Sequence, residues 1–376
     1  MNFENTLNKY KQKLIYHDLN RHIKPIRNSY QYFIVIPVLN ELEYLFKTLN
    51  SINNQDSLVL NKTLIVIVIN NRVDSSIHIK KNNRLTYEKI KKCNFQYEHI
   101  TLDYFSKGNE LSVKKYGVGV ARKIGMDYCL QFSTEDSLLF SLDADTLISK
   151  SYLQLITKYY HSSNFNTCIV KFLHQKSSNP KIEKAIRLYE KILYDIAYKI
   201  KQCNSPYGYV SMGSTIICKV KAYIAVGGMP QKSAAEDFYF MQSLAKFSQI
   251  NFLNKTLVYP SSRLEMRVHL GTGFRMLQYN KNDKFIDLNF ADRCYNSLKK
   301  LINFVDSNYK ISYNLFIKEL NKNFDYNICN FLSEHNLENI WDKINNNASS
   351  KKQFLIFFHQ WFDGLKIMKF LKYMNN

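Results

Sequence analysis

Nowhere in the 376 residues is there an apolar run of about 18, the length a bilayer-crossing helix needs, so no spanning helix is predicted. The opening "MNFENTLNKYKQK" is polar and lacks the apolar core of a signal peptide. Cysteine is sparse and scattered: Cys93, Cys129, Cys168, Cys203, Cys218, Cys294 and Cys329 include no CxxC pair. An odd count in a chain this long argues against a disulfide framework or a zinc knuckle and predicts reduced thiols in a cytoplasmic protein. No internal repeat is visible, nor an RRM, KH or zinc signature. Acidic residues are in deficit, 31 against 52 Lys and Arg, for a formal net charge of +21. That excess concentrates anionic partners of every kind, nucleic acid, lipid or phosphorylated substrate, and does not choose among them.

What is present is a globular composition, 45% hydrophobic and 22% charged, enough for one large domain or two modest ones. Residues 1–30 read as a polar, basic segment, a short helix and linker. "YQYFIVIPVLNE" predicts a strand over residues 33–36 stopped by Pro37, with Asn40 capping a helix from Glu41 to about Ile52. "TLIVIVINN" is a continuous apolar strand of the kind a parallel sheet buries on both faces, and residues 71–85 read as a polar loop. A third strand is expected near residues 97–102. In "VKKYGVGVARKIGMDYCL", Val113, Tyr116, Val120, Ile124 and Tyr128 fall at helical spacing. Helices are further expected near 151–160 and 181–200, with a strand near 168–173. Strands alternating with helices predict an α/β fold around a mostly parallel sheet over 31–280, halved near residue 150. Residues 281–376 read as helical.

The chemistry gathers in three places. "LLFSLDADTLIS" runs an apolar strand into Asp143 and Asp145, at the carboxyl end where an open parallel sheet presents its ligand crevice. Two such carboxylates repel unless donors or a hard cation, Mg²⁺ or Mn²⁺, offset them; the alternative is an N-cap with a loop carboxylate. Glu236 and Asp237 open a predicted helix after the Gly227-Gly228 turn, as capping acids or as a general base. "SSRLEMRVHLGTGFR" brings Arg263, Arg267 and His269 ahead of a Gly271-Thr272-Gly273 loop suited to phosphate oxygens or simply solvated. Gly213 in "SMGST" marks a close backbone approach or a bulge.

Taken in order, "IVIPVLNE", "GVARKIG", "SLDADT" and "VGGMPQKSAAEDFYF" resemble the family 2 glycosyltransferases, inverting enzymes of the GT-A fold that use nucleotide sugars. The resemblance spans about residues 31–275. It implies that Pro37, Leu39, Asn40 and Glu41 line the base and ribose, and that Asn70 and Asn71 stand at the second-strand turn. The family usually has acidic residues at that turn; here the nearest is Asp74. Arg122 matches an arginine near the nucleotide, and Lys123 follows where Asn is usual. Asp143 then serves ribose and metal, Asp145 is the direct ligand of Mn²⁺ or Mg²⁺, and Asp237 is the catalytic base beside Glu236. Arg267 is expected at the nucleotide and His269 at the metal.

The implied reaction is transfer of a sugar from a nucleoside diphosphate to a glycan or lipid-linked acceptor hydroxyl, in surface polysaccharide or glycolipid assembly. The Q-x-x-R-W signature of processive members is absent, which points to single additions. A nucleotidyltransferase is the rival enzyme, but "PVLNELEY" has neither the glycines nor the basic residue of its loop. A nucleic-acid-binding protein rests on charge alone, and no nucleic-acid partner is expected. In "KKQFLIFFHQWFDGLKIMKFLKYMNN", Phe354, Phe358, Trp361, Leu365 and Met368 share a helical face. Residues 351–376 are thus either packed into a core or laid on the inner face of a membrane.

Overall fold

A computed structural model describes residues 3–12, 14, 25–264, 271–286 and 288–375. The chain divides into two compact units, Met1–Arg187 with Ser211–Lys281, and Leu188–Val210 with Asn282–Asn376.

The first unit runs α1 (Phe3–Lys11), β1 (Tyr32–Val38), α2 (Leu45–Asn53), α3 (Ser57–Leu60), β2 (Thr63–Asn70), α4 (Ile77–Lys92) and β3 (Glu98–Tyr104). It continues through α5 (Val118–Cys129), β4 (Leu138–Ser141), β5 (Leu147–Ile148), α6 (Tyr152–Ser163), β6 (Thr167–Phe172) and the start of α7 (Pro180–Gln202). Then follow β7 (Ile216–Lys219), α8 (Val220–Ala225), α9 (Glu236–Phe247), β8 (Ile250–Tyr259) and α10 (Thr272–Asn282). The strands form one eight-stranded sheet in the order β3-β2-β1-β4-β7-β6-β8-β5. β3, β2, β1 and β4 are mutually parallel, as are β6 and β8, whereas β7 runs against both its neighbours and β5 against β8. The predicted α/β class, with flanking helices, is the one observed.

β1 and β2 are buried at every residue, as continuous apolar runs require when both sheet faces are covered. α5 lies against these two strands. A Cβ at its Gly125 would come within 2.4 Å of Val35 Cγ1 and 2.9 Å of Val68 Cγ2, so glycine sets how closely helix and sheet approach. α1 packs on α8, where the Tyr10 hydroxyl donates to Asp127 Oδ1 at 2.7 Å and accepts from Lys123 Nζ at 2.6 Å. The Tyr223 hydroxyl reaches the same Asp127 oxygen at 2.7 Å. Lys123 is therefore committed to this buried cluster.

Four local expectations are corrected. β1 passes through Pro37 and ends at Val38. The Val35 carbonyl accepts from Leu142 N–H, so odd-numbered residues of β1 face β4; β4 has already ended at Ser141, and no ladder donor is missed at Pro37. Asn40 is not a helix cap: its φ is +59°, its N–H donates to Asn83 Oδ1 at 3.0 Å, and α2 begins only at Leu45. The loop expected over 71–85 contains the start of α4, capped by Ser76. That helix was hidden because its buried face includes polar Asn83 and Thr86. The helix expected from Val113 begins at Val118, after Gly117 in a left-handed turn.

The second unit takes the rest of α7 and α11 (Asp292–Ser307), α12 (Tyr313–Asn323), α13 (Tyr326–Glu334), α14 (Glu338–Asn347), α15 (Lys351–Trp361) and α16 (Gly364–Asn375). Its core is aromatic: Trp341 stacks on Phe316 with ring centroids 3.8 Å apart and meets Phe354 edge-on. Residues 351–375 form two helices broken near Gly364, and Phe354, Phe358, Phe362, Phe370 and Leu371 are fully buried. Of the face predicted for that stretch, Phe354 and Phe358 enter the unit's core, and Trp361, Leu365 and Met368 are half-buried. Among the described residues no helix is long and apolar enough to cross a membrane.

Candidate active site

The carboxyl ends of β1, β2 and β4 face one edge of the sheet, and most of the predicted site residues lie there. Ser141 closes β4, and Asp143 follows two residues on. Arg122, on α5 and only 3% exposed, donates to Ser141 Oγ, to Asp143 Oδ1 and, at 3.3 Å, to Glu236 Oε1. Burial disfavours the guanidinium charge, but Asp143, Glu236 and Asp237 outweigh it and raise its pKa. Asp143 is fastened a second time by Ser214, whose hydroxyl donates to Oδ2 and accepts from Asp143 N–H at 3.2 Å. Ser214 also meets the Thr146 hydroxyl at 3.1 Å. A Cβ at Gly213 would stand 2.5 Å from Arg122 Nη2, so glycine there leaves room for the guanidinium.

Glu236 and Asp237 open α9 after Ala235, whose left-handed φ of 58° costs an alanine about 1 kcal/mol. The strained turn sets the Glu236 carboxyl against Arg122, with Asp237 next to it. Glu236 is 5% exposed, and burial lifts its carboxyl to about 7 against the pull of Arg122. Asp237 is half-buried; burial raises its carboxyl too, while Arg122 and the Phe238 and Gly213 amides draw it down. Asp143 and Glu236 therefore share one guanidinium, whose charge also reaches Asp237.

Asp145 is held elsewhere. Its Oδ2 lies 3.0 Å from Arg263 Nη2, which is also 2.6 Å from Glu41 Oε1, with the guanidinium 4.3 Å above the Tyr44 ring. Arg267 and His269 lie outside the described residues. Among the described residues no three His, Cys, Asp or Glu side chains are grouped to hold a metal. Among the described residues the donors expected for Mn²⁺ or Mg²⁺ do not fit as they stand: Asp143 is engaged by Arg122 and Asp145 by Arg263.

The base-and-ribose set divides as well. Leu39, Asn70 and Asn71 line an open pocket of about 260 Å³ with Arg72, Asp74 and Tyr116. Arg72 Nε donates to Asp74 Oδ1 at 2.7 Å, and its guanidinium stacks 4.4 Å from the Tyr116 ring. Pro37 stays within the buried strand, Asn40 turns to Asn83, and Glu41 belongs to the Arg263 pair. Asn83 itself is a residue that sequence reasoning missed. Its amide donates to Asn70 O at 2.9 Å and to Asn71 Oδ1 at 3.0 Å, pinning the turn after β2. Its only advance signal is an Asn on the inward face of a helix. Ser214 and Arg263 were visible in motifs but not their partners, which come from 71 and 222 residues away.

No family model matches the chain, and no curated protein does. Among solved structures, S. aureus TarS residues 1–349 in complex with UDP-GlcNAc is 13% identical, covering 88% of this chain and 91% of that one, with a TM-score of 0.44. The UDP complex of the same protein is 17% identical over 61% of this chain and 60% of its own, with a TM-score of 0.38. The mannosyltransferase PcManGT from Pyrobaculum calidifontis, in complex with GDP-Man and Mn²⁺, is 12% identical over 95% and 96%, with a TM-score of 0.43.

Proposed function

We propose that the first unit is an inverting glycosyltransferase that uses a nucleoside-diphosphate sugar. The observation that carries this reading is the gathering of Asp143, Glu236 and Asp237 around Arg122, one strand away from the open pocket beyond β2. Carboxyl ends of parallel strands are where such folds bind nucleotides. In this reading the nucleoside enters the pocket of Asn70, Asn71 and Tyr116, and the diphosphate lies along the turn 143–145. The acceptor reaches the anomeric carbon from the Asp237 side.

The acceptor oxygen then forms a bond to the anomeric carbon as the bond from that carbon to the β-phosphate oxygen breaks. The electron pair leaves with the nucleoside diphosphate, and the acceptor proton passes to Asp237. Displacement from the opposite face inverts the centre. A carboxylate works best as a base when its pKa approaches the operating pH, and burial shifts Asp237 in that direction. Arg122 keeps Asp143 and Glu236 in place and offsets the acidity of the cluster.

Asp237→Asn removes the base and keeps the shape. Turnover is expected to fall by about 10²-fold or more while nucleotide affinity, measured by calorimetry, changes by less than about threefold. Turnover equal to wild type rejects Asp237 as the base.

A further inference from the structure

The pairing of Asp145 with an arginine has its own consequence. Arg263, Glu41 and Asp145 are 12%, 2% and 12% exposed at their side chains, so this is an enclosed contact and not a surface one. Each partner is positioned independently. β5 pairs antiparallel with β8, Leu147 opposite Tyr259, which carries the chain leaving β8 back past the turn 143–145. Gln175 Nε2 ties that register by donating to Asp145 O at 2.9 Å and to Tyr259 O at 2.8 Å. Thr48 donates to Ala144 O at 2.8 Å from the other side. With the turn and the strand end both anchored, the guanidinium lies between the two carboxylates and over the Tyr44 ring.

We propose that Arg263 is the resident cation of the donor site, occupying the Glu41–Asp145 carboxylate pair in place of a divalent metal, so that nucleoside diphosphates bind without one. This inference rests on the donor-site reading above. A guanidinium suits the role because it stays charged at every working pH and presents donors in a planar fork that matches phosphate oxygens two at a time. Two nearby carboxylates need one positive neighbour, and an arginine and a metal ion are alternative answers to the same charge.

The test is calorimetric titration of UDP and of GDP into the full chain, once in EDTA and once with Mn²⁺. At least one nucleotide is expected to bind wild type with affinities equal within about twofold in the two buffers, and Arg263→Gln should weaken it about tenfold or more in EDTA. Nucleotide binding that needs Mn²⁺ overturns the inference and leaves the donor-site reading standing. Binding in EDTA that Arg263→Gln does not alter also overturns it. If neither nucleotide binds in either buffer, the donor-site reading itself fails.

A second arm uses Mn²⁺ alone, followed by electron paramagnetic resonance. Wild type should show no site, and Arg263→Gln should gain one at the vacated carboxylates. Equal Mn²⁺ binding by both proteins overturns the exchange of arginine for metal. Arg263→Lys keeps a charge against Glu41 and replaces the glutamine variant in the calorimetric arm should melting show the latter unfolded, Arg263→Ala then serving the Mn²⁺ arm. The lysine variant is expected to hold UDP or GDP several-fold more weakly than wild type in EDTA, having lost the fork; unchanged affinity counts against the proposal.

Discussion

At the residue scale the site is governed by how few positive charges serve many carboxylates. Arg122 stands among Asp143, Glu236 and Asp237, and the least exposed of these acids, Glu236, is raised by burial from 4.5 to about 7. Between those values the folded protein holds a proton that the unfolded chain gives up. The contribution to stability is therefore complete below about pH 4.5 and is lost as pH rises through about 7, on the order of 3 kcal/mol in all. Glu236→Gln stays neutral and should flatten this limb in urea melts run from pH 5 to pH 8. Identical slopes in the two proteins would sink the assignment. The residues themselves were readable: an acidic pair after an apolar strand and another at a helix start stand out in the sequence. Which base answers each acid was not. Arg263 reaches Glu41 across 222 residues and Asp145 across a strand pair, and one-dimensional spacing carries neither distance.

At the element scale, hydrophobic pattern located the buried strands because β1 and β2 carry continuous apolar runs. It failed at α4, whose inward face uses Asn83 and Thr86 to hold backbone groups instead of filling space, and it gave no notice of β8, where buried and exposed residues mix. The packing of α5 on β1 and β2 depends on Gly125, with Val35 and Val68 where a methyl would go. Gly125→Ala gains helix propensity but overpacks a sheet already closed on both faces. A net loss of about 1–3 kcal/mol is expected, read as a lower urea midpoint with unchanged slope. A variant as stable as wild type would mean that the helix can lift without cost. Since Arg122 lies less than one turn away on α5, the same substitution should also weaken nucleotide binding.

At the scale of the whole molecule, the scattered cysteines are all free, and five of them are buried. Burial pushes the thiols of Cys203 and Cys168 up to about 11 and about 12, and raises those of Cys129 and Cys218 as well. A thiol reagent at neutral pH should titrate at most Cys93 and Cys329 in the native protein and all seven cysteines after unfolding. Rapid native labelling of a third would show that one of the cores opens. The α/β class, the strands β1, β2 and β4, and the acidic motifs were determined by the sequence alone, because they follow from local runs and periods that a chain displays before it folds. The division that joins 188–210 to the C-terminal helices, the enclosure of Arg122, and the choice of Arg263 for Asp145 were decided only by the tertiary structure. Charge pairing acts over a few ångströms whatever the separation along the chain, so the partners exist only once the sheet has brought its strand ends together.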